Sequence, residues 1–209
     1  MKKVRGRRGF TLVELIVVIA IIALIAAILV PVMLGMVTRA KISSMNSTAS
    51  EIRKCMNIFL LESGGTGYGL NSLSEVKFNI TIGRNNNAVT WNCACTGSCS
   101  GEDGVTWGTP ASYVPSQDVS NTTSGETMLC AALHNKFAQL DNCSIVIVLA
   151  NGRCTFVAYT SDLSTVIPES EYPAINNGAP DATFAWDGNT AGISPSGYVI
   201  GTSPPVDIA

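Results

Sequence analysis

The chain has 209 residues, a formal net charge of −2 and charged side chains at only 13% of positions, so it lacks the basic surplus of a nucleic-acid-binding domain. The average conceals an asymmetry. Residues 1–9, MKKVRGRRG, hold five cations (Lys2, Lys3, Arg5, Arg7, Arg8) and no acid, while the rest of the chain sets eight cations against fifteen acids. The basic cluster reads as a cytoplasmic flag under the positive-inside rule.

Residues 10–36 follow as one apolar stretch, with no polar side chain between Leu15 and Val30. As a helix this stretch spans about 40 Å at ~1.5 Å per residue, enough to cross a hydrocarbon core of ~30 Å. It is longer than the core of a cleaved secretory signal. Glu14 fits neither a plain anchor nor a plain signal, because a carboxylate in an apolar segment costs about 2.5–3.5 kcal/mol and calls for a partner. A cut between Gly9 and Phe10 would free an ammonium on Phe10, four residues before Glu14 and on the same helix face. That ammonium can be met within one chain or offered by a neighbouring copy. Pro31 cannot donate to the carbonyl of Ala27 and crowds that turn, so a kink or a loosened turn is expected there, with Gly35 adding backbone freedom.

The basic leader, Gly9, Phe10-Thr11-Leu12-Val13-Glu14 and an apolar helix containing Pro31 together resemble the class III signal of type IV pilins and pseudopilins. The resemblance covers residues 1 to about 60. It implies a prepilin peptidase that cuts after Gly9 and methylates the new Phe10 amine, and an assembly role for Glu14 against the amine of a neighbouring subunit. It also implies partial unwinding of the helix near Pro31 in a filament.

From Arg39 the pattern changes. Ile42, Met45, Ala49, Ile52, Met56 and Phe59 recur at alternating spacings of three and four, a helical stripe reinforced by Leu60 and set among Ser, Asn, Lys and Glu. Gly64-Gly65 supplies the stop. Residues 37–63 are therefore read as an amphipathic helix with one face buried against a folded domain, which is also the arrangement the resemblance implies.

Residues 64–209 form the head. Its first part is rich in Gly, Asn, Ser and Thr, with short strands expected near Val76–Ile82 and Ala88–Trp91 and a short helix over Glu126–Leu140. The clearest unit is SIVIVLA (144–150), Asn151-Gly152 and RCTFVAYT (153–160), a hairpin with a two-residue turn. That turn sets Leu149 opposite Cys154, Ile147 opposite Phe156 and Ile145 opposite Ala158, giving one apolar face to lie on the helix stripe. A second hairpin is expected between residues 182–187 and 196–202. The fold class is α+β: a long N-terminal helix, transmembrane in its first half and amphipathic in its second, packed on a C-terminal antiparallel sheet.

Seven cysteines in an Asn/Thr/Ser-rich, charge-poor head suit a disulfide-permissive exported protein. Cys55, Cys93, Cys95, Cys99, Cys130, Cys143 and Cys154 are all disulfide candidates, and sequence does not choose among the pairings. Cys154 points toward the helix and Cys55 lies at that helix's edge, which leaves a Cys55–Cys154 bridge open. The cluster Cys93, Cys95 and Cys99 lacks the second pair or the histidines of a zinc site, so no metal is expected. Trp91, Trp107 and Trp186 are read as core, with sugar binding as the alternative. Asp187-Gly188-Asn189 is read as a turn rather than a calcium loop. No nucleophile elbow or phosphate-cradling loop is present, and His134 is the single histidine, so neither an enzyme nor a cofactor is expected.

These readings converge on a structural subunit of a type IV pilus. Its leader, 1–9, is cleaved; residues 10–36 form the transmembrane and filament-core helix; the head is displayed outside. The alternatives are a pseudopilin or minor pilin of a secretion or competence system, and a pilus-mounted carbohydrate-binding adhesin with a surface polysaccharide as ligand. The expected partners are further copies of the chain in a helical filament, the prepilin peptidase, and an inner-membrane assembly platform with its ATPase. Before assembly the subunit would sit in the cytoplasmic membrane as a single-pass protein with its N-terminus inside, and afterwards in a cell-surface pilus.

Overall fold

The structure, a computed structural model, describes residues 10–62, 69–70, 75–85, 88–96, 104–163, 165–176, 179–187 and 190–206. The leader with Gly9, the Gly64-Gly65 stop, Cys99 and Gly188-Asn189 lie outside the described residues. The chain divides into two compact units, Met1–Ala40 and Lys41–Ala209. Helix α1, Leu12–Glu62, contributes to both. Pro31 lies inside α1 without ending it; its missing N–H removes one bond and leaves the ladder on either side in place.

In the first unit α1 is bare. Its large apolar side chains from Phe10 to Val37 stay 48–86% exposed. In the second unit the expected stripe is the buried one: Met45, Ala49, Ile52, Met56, Phe59 and Leu60 are buried, and Ile42 packs against them. A 3.6-residue period placed on a helix gives one continuous apolar face, and the sheet takes it up.

That sheet has six antiparallel strands: β1 (Val76–Asn85), β2 (Ala88–Thr96), β3 (Ala111–Tyr113), β4 (Cys143–Ala150), β5 (Arg153–Thr160) and, after two short strands β6 (Ile175–Asn176) and β7 (Ala179–Pro180) that pair with each other, β8 (Gly201–Ser203). Their spatial order is β3-β2-β1-β4-β5-β8. Helix α2, Gly125–Lys136, packs on β2 and β3. In β1, buried Val76, Phe78, Ile80 and Ile82 alternate with half-exposed Lys77, Asn79 and Thr81, the period of a sheet with one face on the core.

The hairpin forms as expected at its tip, where Asn151 and Gly152 both take positive φ (52° and 72°) and Leu149 pairs with Cys154. Beyond the tip the expected register fails. A β-bulge at Thr155 shifts the pairing by one, so that Val148 faces Phe156, Ile147 faces Val157, Ile145 faces Tyr159 and Ser144 faces Thr160. The side-chain period is two, so one extra residue sends everything after it to the opposite face. Val157 and Tyr159 join the helix-side core, while Phe156 and Ala158 turn outward with Val146 and Val148.

That outer face is itself covered, by Ile167, Tyr172, Trp186, Ile200 and Val206 from the C-terminal segment. β4, central in the sheet, is consequently buried at all eight positions. The expected second hairpin does not form. The Asp181 carboxylate accepts from the N–H and hydroxyl of Thr183 at 2.8 and 2.7 Å and turns the chain. Phe184 and Trp186 then meet edge to face at 4.9 Å, and only Gly201–Ser203 becomes a strand, on β5. The α+β class holds: a long N-terminal helix with its second half on an antiparallel sheet.

Candidate functional site: the N-terminal end of the helix

Thr11-Leu12-Val13-Glu14 closes the start of α1 as a reciprocal cap. Thr11 Oγ1 accepts from the backbone N–H of Glu14 at 3.2 Å, and Glu14 Oε2 accepts from both the backbone N–H and the hydroxyl of Thr11 at 2.8 Å. A threonine followed three residues later by glutamate is the sequence pattern of a capping box, which satisfies two of the N–H groups that a helix start leaves orphaned. The sequence reading named Thr11 only as part of the motif and paired Glu14 with a chain-end ammonium, of the same chain or of a neighbour, rather than with Thr11. The T-x-x-E spacing immediately before an apolar run was the available signal.

The cap commits one carboxylate oxygen. Among the described residues Glu14 Oε1 has no hydrogen-bond partner. Phe10 precedes the cap at 86% exposure. Downstream, the helix presents apolar side chains all round and is long and apolar enough to cross a membrane. An apolar surface of this extent needs lipid or other helices around it. Pro31 and Gly35 lie within the same bare segment, and nothing would stand within 4 Å of a Cβ on Gly35.

Residues 4–30 match a family model described as the prokaryotic N-terminal methylation motif. The chain carries a type IV pilin-like class III signal. A class III signal of this kind marks a type IV pilin- or pseudopilin-type secreted protein. It implies prepilin-peptidase processing and a pilus-assembly machinery in general, and it fits a membrane-anchored subunit before assembly. No curated protein and no solved structure matches the chain.

The other candidate residues sit in the head. Cys55 is half-buried, Cys93, Cys130, Cys143 and Cys154 are buried, and all five are free thiols in the structure; Cys95 is disulfide-bonded. Cys154 lies on the helix side as expected, with its backbone N–H donated to Asn57 Oδ1 of α1 at 2.9 Å and its thiol to the Phe156 carbonyl at 3.8 Å. Burial pushes the Cys154 thiol up to about 12. Cys143 is likewise raised to about 12 by burial, against the opposing effect of a hydrogen bond with the Tyr159 hydroxyl. Trp91, Trp107 and Trp186 are all buried, so the polysaccharide-binding reading loses the side chains on which it rested.

Two asparagines dock α1 on the sheet. Asn46 Oδ1 accepts from Thr202 N at 2.8 Å, as Asn57 does from Cys154 N. They are eleven residues apart, about three turns, and so lie on one side of the helix. Each meets a strand N–H that would otherwise lose its partner on burial.

Proposed function

We propose that this chain is a structural subunit of a type IV pilus that polymerises through residues 10–36 and displays residues 64–209 outside the cell. The observation that carries the reading is the capped Glu14 at the mouth of a bare apolar helix. Removal of residues 1–9 places a cationic chain end at Phe10, beside a carboxylate with one oxygen already held in the cap and the other available. In the membrane the helix is solvated by lipid. In a filament neighbouring helices replace the lipid, so packing and the Glu14–ammonium contact steer assembly with little net change in apolar exposure.

The role is mechanical rather than catalytic. Before assembly the subunit spans the cytoplasmic membrane once, with the leader inside; afterwards it belongs to a surface fibre delivered by an assembly platform and its ATPase. A pseudopilin would share all of this except the long extracellular fibre. Shearing cells and sizing the released material separates the two. The pilus reading expects sheared fibres that contain this chain beginning at a methylated Phe10. Its recovery from membranes alone assigns it to a pseudopilus, and an intact leader on the extracellular material contradicts both.

A further inference from the structure

Cys93 and Cys130 are brought together inside the head by two elements distant in sequence. Cys93 sits on the inner face of β2, between Ile80 of β1 and Ala111 of β3 in register, and Cys130 lies midway along α2. They are 1% and 0% exposed and share one buried core, and one turn along α2 from Cys130 the His134 ring meets Trp91, two residues before Cys93 on the same face of β2, edge to face at 5.8 Å. The placement of α2 over β2 is fixed from its N-terminal end. The Glu126 carboxylate accepts the backbone N–H of Gly108 at 2.6 Å, and the Trp107 ring lies against Gly125, where a Cβ would stand 2.4 Å from it. The other free thiols are engaged differently. Cys143 meets the Tyr159 hydroxyl, Cys154 donates to the Phe156 carbonyl, and Cys55 packs half-buried on the helix side of the core.

We propose that Cys93 and Cys130 form a structural disulfide that staples α2 to β2 once the head has left the cytoplasm. The inference rests on the exported reading of the head given above. Two buried thiols on elements packed against each other are suited to covalent pairing in an oxidising compartment. Among the described residues, the chain between them, 94–129, holds the end of β2, the short β3 and the start of α2, so the bond closes a loop with little regular structure of its own.

The oxidant is a protein or small-molecule disulfide outside the cytoplasm. One cysteine thiolate attacks a sulfur of that disulfide and expels its other sulfur as a thiol. The second cysteine then attacks the mixed disulfide and releases the remaining carrier sulfur. Two electrons and two protons pass from the pair to the carrier, and one S–S bond is exchanged for another. Folding buries both thiols, and the neighbouring Cys130 thiol, burial and the nearby Glu126 carboxylate all hold Cys93 in its protonated form. The exchange therefore takes place before α2 closes over β2.

The test is thiol trapping on the full chain taken from cell envelopes or sheared material. The chain is denatured in an alkylating reagent, digested without reduction and mapped by mass spectrometry. The expected result is a linked peptide pair joining Cys93 to Cys130, two hydrogens lighter than its reduced parts, with Cys143 and Cys154 alkylated. Alkylated Cys93 or Cys130, or either one bridged to another cysteine, overturns the pairing. The N-terminal peptide in the same digest reports separately whether the leader has been removed, so a failure of the processing reading is distinguished from a failure of the disulfide.

Discussion

Lys41 and Asp162 meet at 2.6 Å, and through its other oxygen the same carboxylate accepts the backbone N–H of Val199 at 3.0 Å. One aspartate thereby ties α1, the end of β5 and the C-terminal segment. The two contacts differ in weight. The ion pair is 43% and 25% exposed on its two sides, and exposed pairs contribute about 0.2–1 kcal/mol. The Val199 N–H is part-buried and has no such alternative in water. Lys41→Ala should cost under ~1 kcal/mol, and Asp162→Ala about 1–3 kcal/mol. Urea unfolding of the full chain in detergent measures both. Equal costs would contradict the assignment of the larger share to the backbone contact.

At Gly201 the sheet lies directly against the backbone of α1. A Cβ there would stand 2.2 Å from the Met45 backbone carbon and 2.5 Å from the Asn46 nitrogen. Those are helix-backbone atoms, which cannot swing aside, so Gly201→Ala must lift α1 off β8 and strain the Asn46–Thr202 contact beside it. The expected loss is about 3 kcal/mol or more, the upper range for overpacking. Hydrogen exchange should locate the damage at β8 and residues 42–49, and unchanged protection there would refute the close contact.

Glu171 anchors the C-terminal cover. It accepts from the Ser196 backbone N–H at 3.1 Å and from the Ser196 hydroxyl at 2.7 Å. Burial works to raise this carboxyl, but the hydrogen bonds from Ser194, Ser196 and Ser170 outweigh it and hold the group below its ordinary 4.5. A depressed carboxylate contributes stability that is fully present above its unfolded value and is lost as pH falls through its folded value. The stability gap between the wild-type chain and Glu171→Gln should therefore be widest above pH 4.5 and narrow below it. A gap that widens on acidification would reverse the sign and overturn the account.

The elements legible in the sequence were those governed by one local rule. The stripe from Ile42 to Phe59 needed only helical periodicity, the Asn151-Gly152 turn only its preference for positive φ, and the N-terminal signal only residue types in register. The bulge at Thr155 was not legible, because its cause is tertiary. Phe156 is drawn to the outer face by Tyr172, which stacks on it at 6.2 Å, and that face has no cover until the C-terminal segment folds over it. The unbroken apolar run Ile145–Leu149 was the available hint, since a strand with one solvated face would alternate. The failed hairpin at 182–202 has the same origin: Phe184 and Trp186 serve the outer core from a turn. At the signal, Glu14 was legible as an anomaly, and the T-x-x-E spacing of Thr11 and Glu14 made the local cap legible too, although the search for a charged partner drew the reading away from it.

The two roles of Glu14, helix cap and ammonium partner, separate in one substitution. Glu14→Gln keeps a side chain that can complete the capping box and removes the charge. The direct measurement is the yield of sheared fibres from this variant, with mass spectrometry confirming a chain that begins at Phe10. The account predicts normal processing and a fall in fibre yield of about tenfold or more, the factor carried by ~1.4 kcal/mol of lost pairing. Fibres at the wild-type yield, built from correctly processed Glu14→Gln subunits, would show that the carboxylate only caps the helix and would contradict charge-steered assembly.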